Sequence, residues 1–89
     1  MALEKKITVE TPKGDFSFNV SLAAHDKYVN ELTMTNKIKP ATNFLMNTVE
    51  DKQRKDLKEV FQSVPGSALN LCSAVIEEYQ PDFDLTVKK

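Results

Sequence analysis

The sequence predicts an α+β fold, with an N-terminal β-hairpin and a C-terminal strand forming a small sheet packed against about four helices. Three observations lead there. Two alternating apolar and polar stretches near the N-terminus flank a Pro-Lys-Gly turn, and the middle of the chain repeats apolar residues at helical spacing between proline and glycine stops. The last residues alternate again.

Lys6-Ile7-Thr8-Val9-Glu10 and Asp15-Phe16-Ser17-Phe18-Asn19-Val20 each read as a strand with one buried face, because successive side chains of a strand point to opposite sides. Between them, Thr11-Pro12-Lys13-Gly14 has proline at the second turn position and glycine at the fourth. That is type I turn chemistry, and Gly14 suits the positive φ of a bulged hairpin. Ile7, Val9, Phe16, Phe18 and Val20 form the expected inward face.

Ser21 is the expected N-cap of a helix on which Leu22, His25, Val29 and Leu32 recur near helical spacing, fading near Thr33. Thr33 to Lys39 lacks periodicity and reads as a connector. Pro40 belongs in the first turn of the next helix, where its missing N–H has no intrahelical acceptor to serve. Ala41, Phe44, Leu45 and Val49 give that helix its apolar side. Glu50 and Asp51 favour another helix start electrostatically. Leu57, Val60, Phe61 and Val64 then fall at i, i+3, i+4 and i+7, the clearest amphipathic stripe in the chain.

Pro65-Gly66 stops that helix and Ser67 is the expected cap of the last one. Its apolar positions Ala68, Leu69, Leu71, Cys72, Ala74, Val75, Ile76 and Tyr79 cover more than one face, which places it centrally in the core or under a partner. Pro81 ends it. Phe83, Leu85 and Val87 alternate with polar residues and read as a third strand joining the hairpin, since two strands alone are marginal.

The 89 residues fit a single domain spanning 1–89. Twelve basic against thirteen acidic residues give a net charge of −1 with both signs interspersed, which argues against nucleic acid as a partner. The run from Glu50 to Lys58 alternates acids and bases and suits a solvated helix face. No stretch approaches the run of about 20 apolar residues needed to span a membrane. The N-terminus lacks the apolar region of a signal peptide, so the expectation is a cytoplasmic protein without membrane contact.

Catalytic chemistry finds little support. His25 is the sole histidine, and the neighbouring Asp26 projects from a different side of a helix. Gly14 and Gly66 belong to no phosphate-cradling loop. Glu77 and Glu78 diverge by about 100 degrees around a helix, so they do not converge on a metal. Cys72 has no second cysteine to pair with and reads as a small buried hydrophobe. The expectation is a protein that is not an enzyme and uses no cofactor or metal.

Surface for protein contact remains. Met34 and Ile38 lie in a connector where nothing obliges burial, and Phe44-Leu45-Met46 offers more apolar side chains than one helix face hides. Phe44 and Leu45 are expected in the core, while Ile38 and Met46 are equally open to either role. The expected partner-binding residues are Met34, Ile38, Pro40, Asn43 and Met46, with the broad apolar last helix as a second candidate.

The chain resembles a family of small phage tail assembly chaperones from about Lys5 to Lys89. The matching pieces are Phe16-Ser17-Phe18-Asn19-Val20, Lys27-Tyr28-Val29-Asn30, Asn36-Lys37 with Pro40-Ala41, and Asn43-Phe44-Leu45-Met46. Pro65-Gly66-Ser67-Ala68-Leu69, Ile76-Glu77-Glu78-Tyr79, Pro81-Asp82 and Thr86-Val87-Lys88-Lys89 follow in order. The resemblance implies a non-catalytic protein of the host bacterial cytoplasm that binds the phage tape-measure protein and helps recruit tail-tube protein, and that is absent from the finished virion. An exposed strand edge and the broadly apolar last helix both permit a homo-oligomer, and such chaperones can assemble along an extended client in several copies, without the sequence determining the oligomeric state. The competing reading is a small prophage-encoded adaptor or regulator acting by strand addition at a sheet edge.

Overall fold

The computed structural model describes residues 4–80 and 85–88. Strands β1 (Lys5–Thr11) and β2 (Gly14–Val20) pair antiparallel, with Thr8 opposite Ser17 and Ile7 opposite Phe18. The turn is held locally. The Thr11 hydroxyl donates to the Gly14 carbonyl at 2.6 Å and accepts from the Lys13 N–H at 3.1 Å, while Gly14 takes φ 118°, a value that side-chain-bearing residues rarely adopt.

Four helices follow: α1 (Leu22–Glu31), α2 (Ile38–Thr48), α3 (Arg54–Ser63) and α4 (Ser67–Tyr79), with a 3-10 turn at Asp51–Gln53 leading into α3. Ser21 caps α1 as expected, its hydroxyl accepting from the Ala24 N–H at 3.1 Å. Helix α2 begins two residues before Pro40, which still lies in the first turn, where a missing donor costs nothing.

The N-terminus of α4 differs from expectation. Gly66 occupies the cap position in the left-handed region at φ 76°, and Ser67 is already helical, its buried hydroxyl donating to the Val60 carbonyl at 3.3 Å. The serine ties α4 to α3 across the turn and does not cap its own helix.

The inward face of the hairpin meets the helices in one cluster. Phe18, Val20, Leu45, Leu57 and Val75 are each 0% exposed, surrounded by Ile7, Phe16, Ala41, Phe44, Val49, Val60, Leu71 and Cys72. Burying each large aliphatic or aromatic side chain contributes roughly 1.5–3 kcal/mol. Helix α4 buries Ala68, Leu71, Cys72 and Val75, an i, i+3, i+4, i+7 stripe, and leaves Leu69 and Ala74 exposed. It is therefore one-faced, and not surrounded by the core.

The expected C-terminal strand is not formed. The sheet has two strands among the described residues, 85–88 carry no strand, and Leu85 and Val87 are 78% and 80% exposed. Phe83 and Pro81 lie outside the described residues. The support that a third strand was expected to give comes from elsewhere. Phe18 bridges Val49, and the Glu50 N–H donates to the Ser17 carbonyl at 3.0 Å. The Gln53 side chain then accepts from the Ser17 N–H at 2.8 Å and donates to the Asp15 carbonyl at 2.9 Å. One side-chain amide thus does for the outer edge of β2 what a neighbouring peptide group does in a ladder.

Candidate protein-binding surface

Potentially reactive groups have structural roles. Cys72 is buried at 1% exposure, and burial pushes its thiol pKa up. The thiol meets the Tyr28 hydroxyl, whose pKa is pushed to about 12 by burial first and by the Cys72 contact second. A buried thiol held protonated is a packing group and a poor nucleophile.

His25 packs its ring on Tyr79 with centroids 5.5 Å apart, and its Nε2 lies 3.0 Å from Gln80 Nε2. An amide nitrogen only donates, so this ring nitrogen accepts. The other ring nitrogen is buried without a hydrogen-bond partner, 3.6 Å from Asp26 Oδ1, too far for a hydrogen bond. The histidine docks the start of α1 onto the end of α4. Among the described residues no three His, Cys, Asp or Glu side chains gather to hold a metal, and no helix is long and apolar enough to cross a membrane.

The connector between α1 and α2 is built differently from the core. The Thr33 hydroxyl accepts from the Asn36 N–H at 2.8 Å, and the Thr33 N–H donates to the Asn36 carbonyl at 3.3 Å. This closed turn holds Met34 outward at 92% exposure, and Ile38 on the first turn of α2 is 63% exposed. Asn43 is exposed as well. Pro40 is buried, and Met46 is half-buried against the core. Of the five residues expected here, the structure thus leaves Met34, Ile38 and Asn43 outward and turns Pro40 inward. Phe44 and Leu45 lie in the core as expected.

Helix α1 packs in a way the spacing did not indicate. It has no buried residue. Its inward side is Ala24, His25, Tyr28 and Leu32, all partly buried, while Leu22 and Val29 are 45% and 49% exposed, so the expected stripe of Leu22, His25, Val29 and Leu32 is split between two sides. The signal was present: Ala24 and Tyr28 give α1 a second set of packable positions. The Tyr28 ring meets Phe44 of α2 at 5.3 Å, beside a cleft of about 260 Å³ whose lining includes Ala24, Lys27, Tyr28, Glu31, Phe44 and Asn47. Lys27, Lys37 and Lys39 are exposed and have no ion-pair partner among the described residues.

A family model described as phage tail assembly chaperone matches residues 7–89. An uncharacterized 11.3 kDa protein of Haemophilus phage HP1 is 31% identical over 86 residues, covering 97% of this chain and 83% of the phage protein. No solved structure matches this chain.

Proposed function

Because this chain belongs to the phage tail assembly chaperone family, and so takes part in building phage tails, we propose that it acts without catalysis in the host cytoplasm, binding the tape-measure protein and passing it to tail-tube protein. It would then leave before the virion is complete. The observation that best supports this reading is the outward presentation of Met34 and Ile38, at 92% and 63% exposure, on a turn fixed by its own hydrogen bonds. Holding such side chains in water has a free-energy cost that a helical client with an apolar stripe relieves.

The contact centres on Met34 and Ile38, with exposed Asn43 further round α2 and exposed Val29 and Leu22 on α1 as additional contact positions. Flexible methionine suits a surface that must fit successive segments of a long client. Release to tube protein then requires only that tube subunits compete for the same client stripe.

Co-expression with the tape-measure protein tests this. Replacing Met34 and Ile38 together by aspartate should leave the melting temperature of the isolated protein unchanged within a few degrees. It should weaken capture of the tape-measure protein at least about tenfold, as expected when central apolar contacts are lost. Undiminished capture by a folded variant refutes the placement.

A further inference from the structure

The outer edge of β1 is open along its length among the described residues, whereas that of β2 is met at Ser17 and Asp15 by Glu50 and Gln53. Ser17 turns its N–H and carbonyl away from β1, toward Gln53 and Glu50. In an antiparallel pair, both members of such a position face outward, so its partner Thr8 directs its own N–H and carbonyl to the opposite edge. By the two-residue alternation, Lys6 and Glu10 do the same. No described group meets these donors and acceptors. A groove of about 410 Å³ runs beside them, lined by Lys5 to Glu10 on one side and by Ala74 and Glu78 of α4 on the other.

The sequence along this edge is self-complementary. Around Thr8, the order Lys6-Ile7-Thr8-Val9-Glu10 reverses into opposite charges at equal distance, with a β-branched residue on each side of the centre. We propose that two copies of this chain join β1 to β1 about a two-fold axis at Thr8, making a continuous four-stranded antiparallel sheet.

In that register Thr8 exchanges both backbone bonds with Thr8 of the second copy, and Lys6 does so with Glu10 on either side. Those are the positions whose donors and acceptors face the open edge. On the outer face each Lys6 ammonium lies across from a Glu10 carboxylate, and opposite charges in directly paired positions favour the register. In the single chain the Lys6 ammonium is drawn to Glu50 at 2.7 Å, beyond the β2 edge, and pairing swings it back toward Glu10 of the second copy, while Glu10 has no ion-pair partner within its own chain among the described residues. On the inner face half-buried Val9 comes against Ile7 of the second copy and gains apolar cover. On the α4 side of the groove stand the small Ala74 and Glu78, whose carbonyl and carboxylate hold the Lys5 ammonium at 2.8 and 3.5 Å, a contact the incoming strand passes beside. The contact is isologous and closed, so it ends at a dimer and does not propagate into a filament.

This surface is separate from the Met34 and Ile38 turn and does not depend on what the chain binds there. Light scattering on the purified protein should give twice the 10.1 kDa of one chain at high concentration, falling toward one chain on dilution. Glu10→Lys sets lysine against Lys6 and should give the mass of one chain, as should Lys6→Glu, which sets glutamate against Glu10. Mixing the two folded variants in equal amounts should restore the doubled mass, because each lysine then meets a glutamate across the two-fold.

That rescue is a result that damage to the fold of either variant does not produce. Thr8→Pro, which removes an outward N–H and leaves the β1–β2 bonds intact, should also give single chains with an unchanged circular dichroism spectrum. A wild-type protein of single-chain mass at every concentration overturns the proposal. So does retention of the doubled mass by both charge variants, or a mixture that stays monomeric.

Discussion

Gln53 sits 36 residues from Ser17 in the chain and satisfies both its N–H and, through the other end of the same amide, the Asp15 carbonyl. Leaving a partly buried backbone donor without a partner costs about 1–3 kcal/mol. Gln53→Ala should therefore destabilise the fold by about that amount in urea unfolding, and Gln53→Glu by less, since a carboxylate still accepts from Ser17 but offers nothing to Asp15.

Tyr28 makes a second residue-scale prediction. Its phenol is raised from 10.0 to about 12, by burial first and the Cys72 contact second. The folded state therefore holds this proton more tightly than the unfolded state. The stability linked to it is complete below about pH 10 and is lost as pH rises through about 12. Tyr28→Phe cannot titrate, so the decline in stability between those pH values should be shallower in the variant than in the wild type when both are followed by denaturant midpoint.

Among the elements, α1 stands apart. The other helices contribute fully buried side chains to the core, whereas α1 contributes only half-buried ones and is held by the Tyr28–Phe44 ring contact and by His25 against Tyr79 and Gln80. Few buried apolar contacts mean a low free energy of local opening. Amide exchange in α1 should be faster than in α4, where Leu71, Cys72 and Val75 are buried, although α1 has the better side-chain N-cap. Equal protection of the two helices would show that α1 opens only when the whole molecule unfolds. If the client displaces α1 from its cleft, the same experiment on the complex should show that helix changing most.

At the scale of the whole molecule, the two proposed surfaces divide the work. The Met34 turn offers exposed side chains, whereas the β1 edge offers backbone groups, so Glu10→Lys should alter assembly without weakening client capture by a single chain. A dimer built on β1 would carry two client surfaces, and linked weak contacts on one long client strengthen binding by raising effective concentration.

The sequence by itself determined what short-range physics controls. The hairpin follows from Pro12 and Gly14, the start of α1 from Ser21, the apolar side of α2 from Ala41, Phe44 and Leu45, and the break before α4 from Pro65-Gly66. These depend on backbone preferences within a few residues. The order of short matching segments also carried the family, which no single piece did.

Only the tertiary structure decided which apolar residues are covered. Alternation at Leu85 and Val87 says that a strand is locally permitted, but a strand exists only when an edge pairs with it, and the described tail residues remain exposed. Leu22 and Val29 share the spacing of a buried stripe yet face outward, because Ala24 and Tyr28 lie toward α2. Likewise nothing near Gln53 announces that its amide completes a sheet edge formed by residues far earlier in the chain. Local sequence sets what each segment is able to be, and burial between distant segments selects among those possibilities, because the free energy of covering apolar surface depends on neighbours that spacing alone does not name.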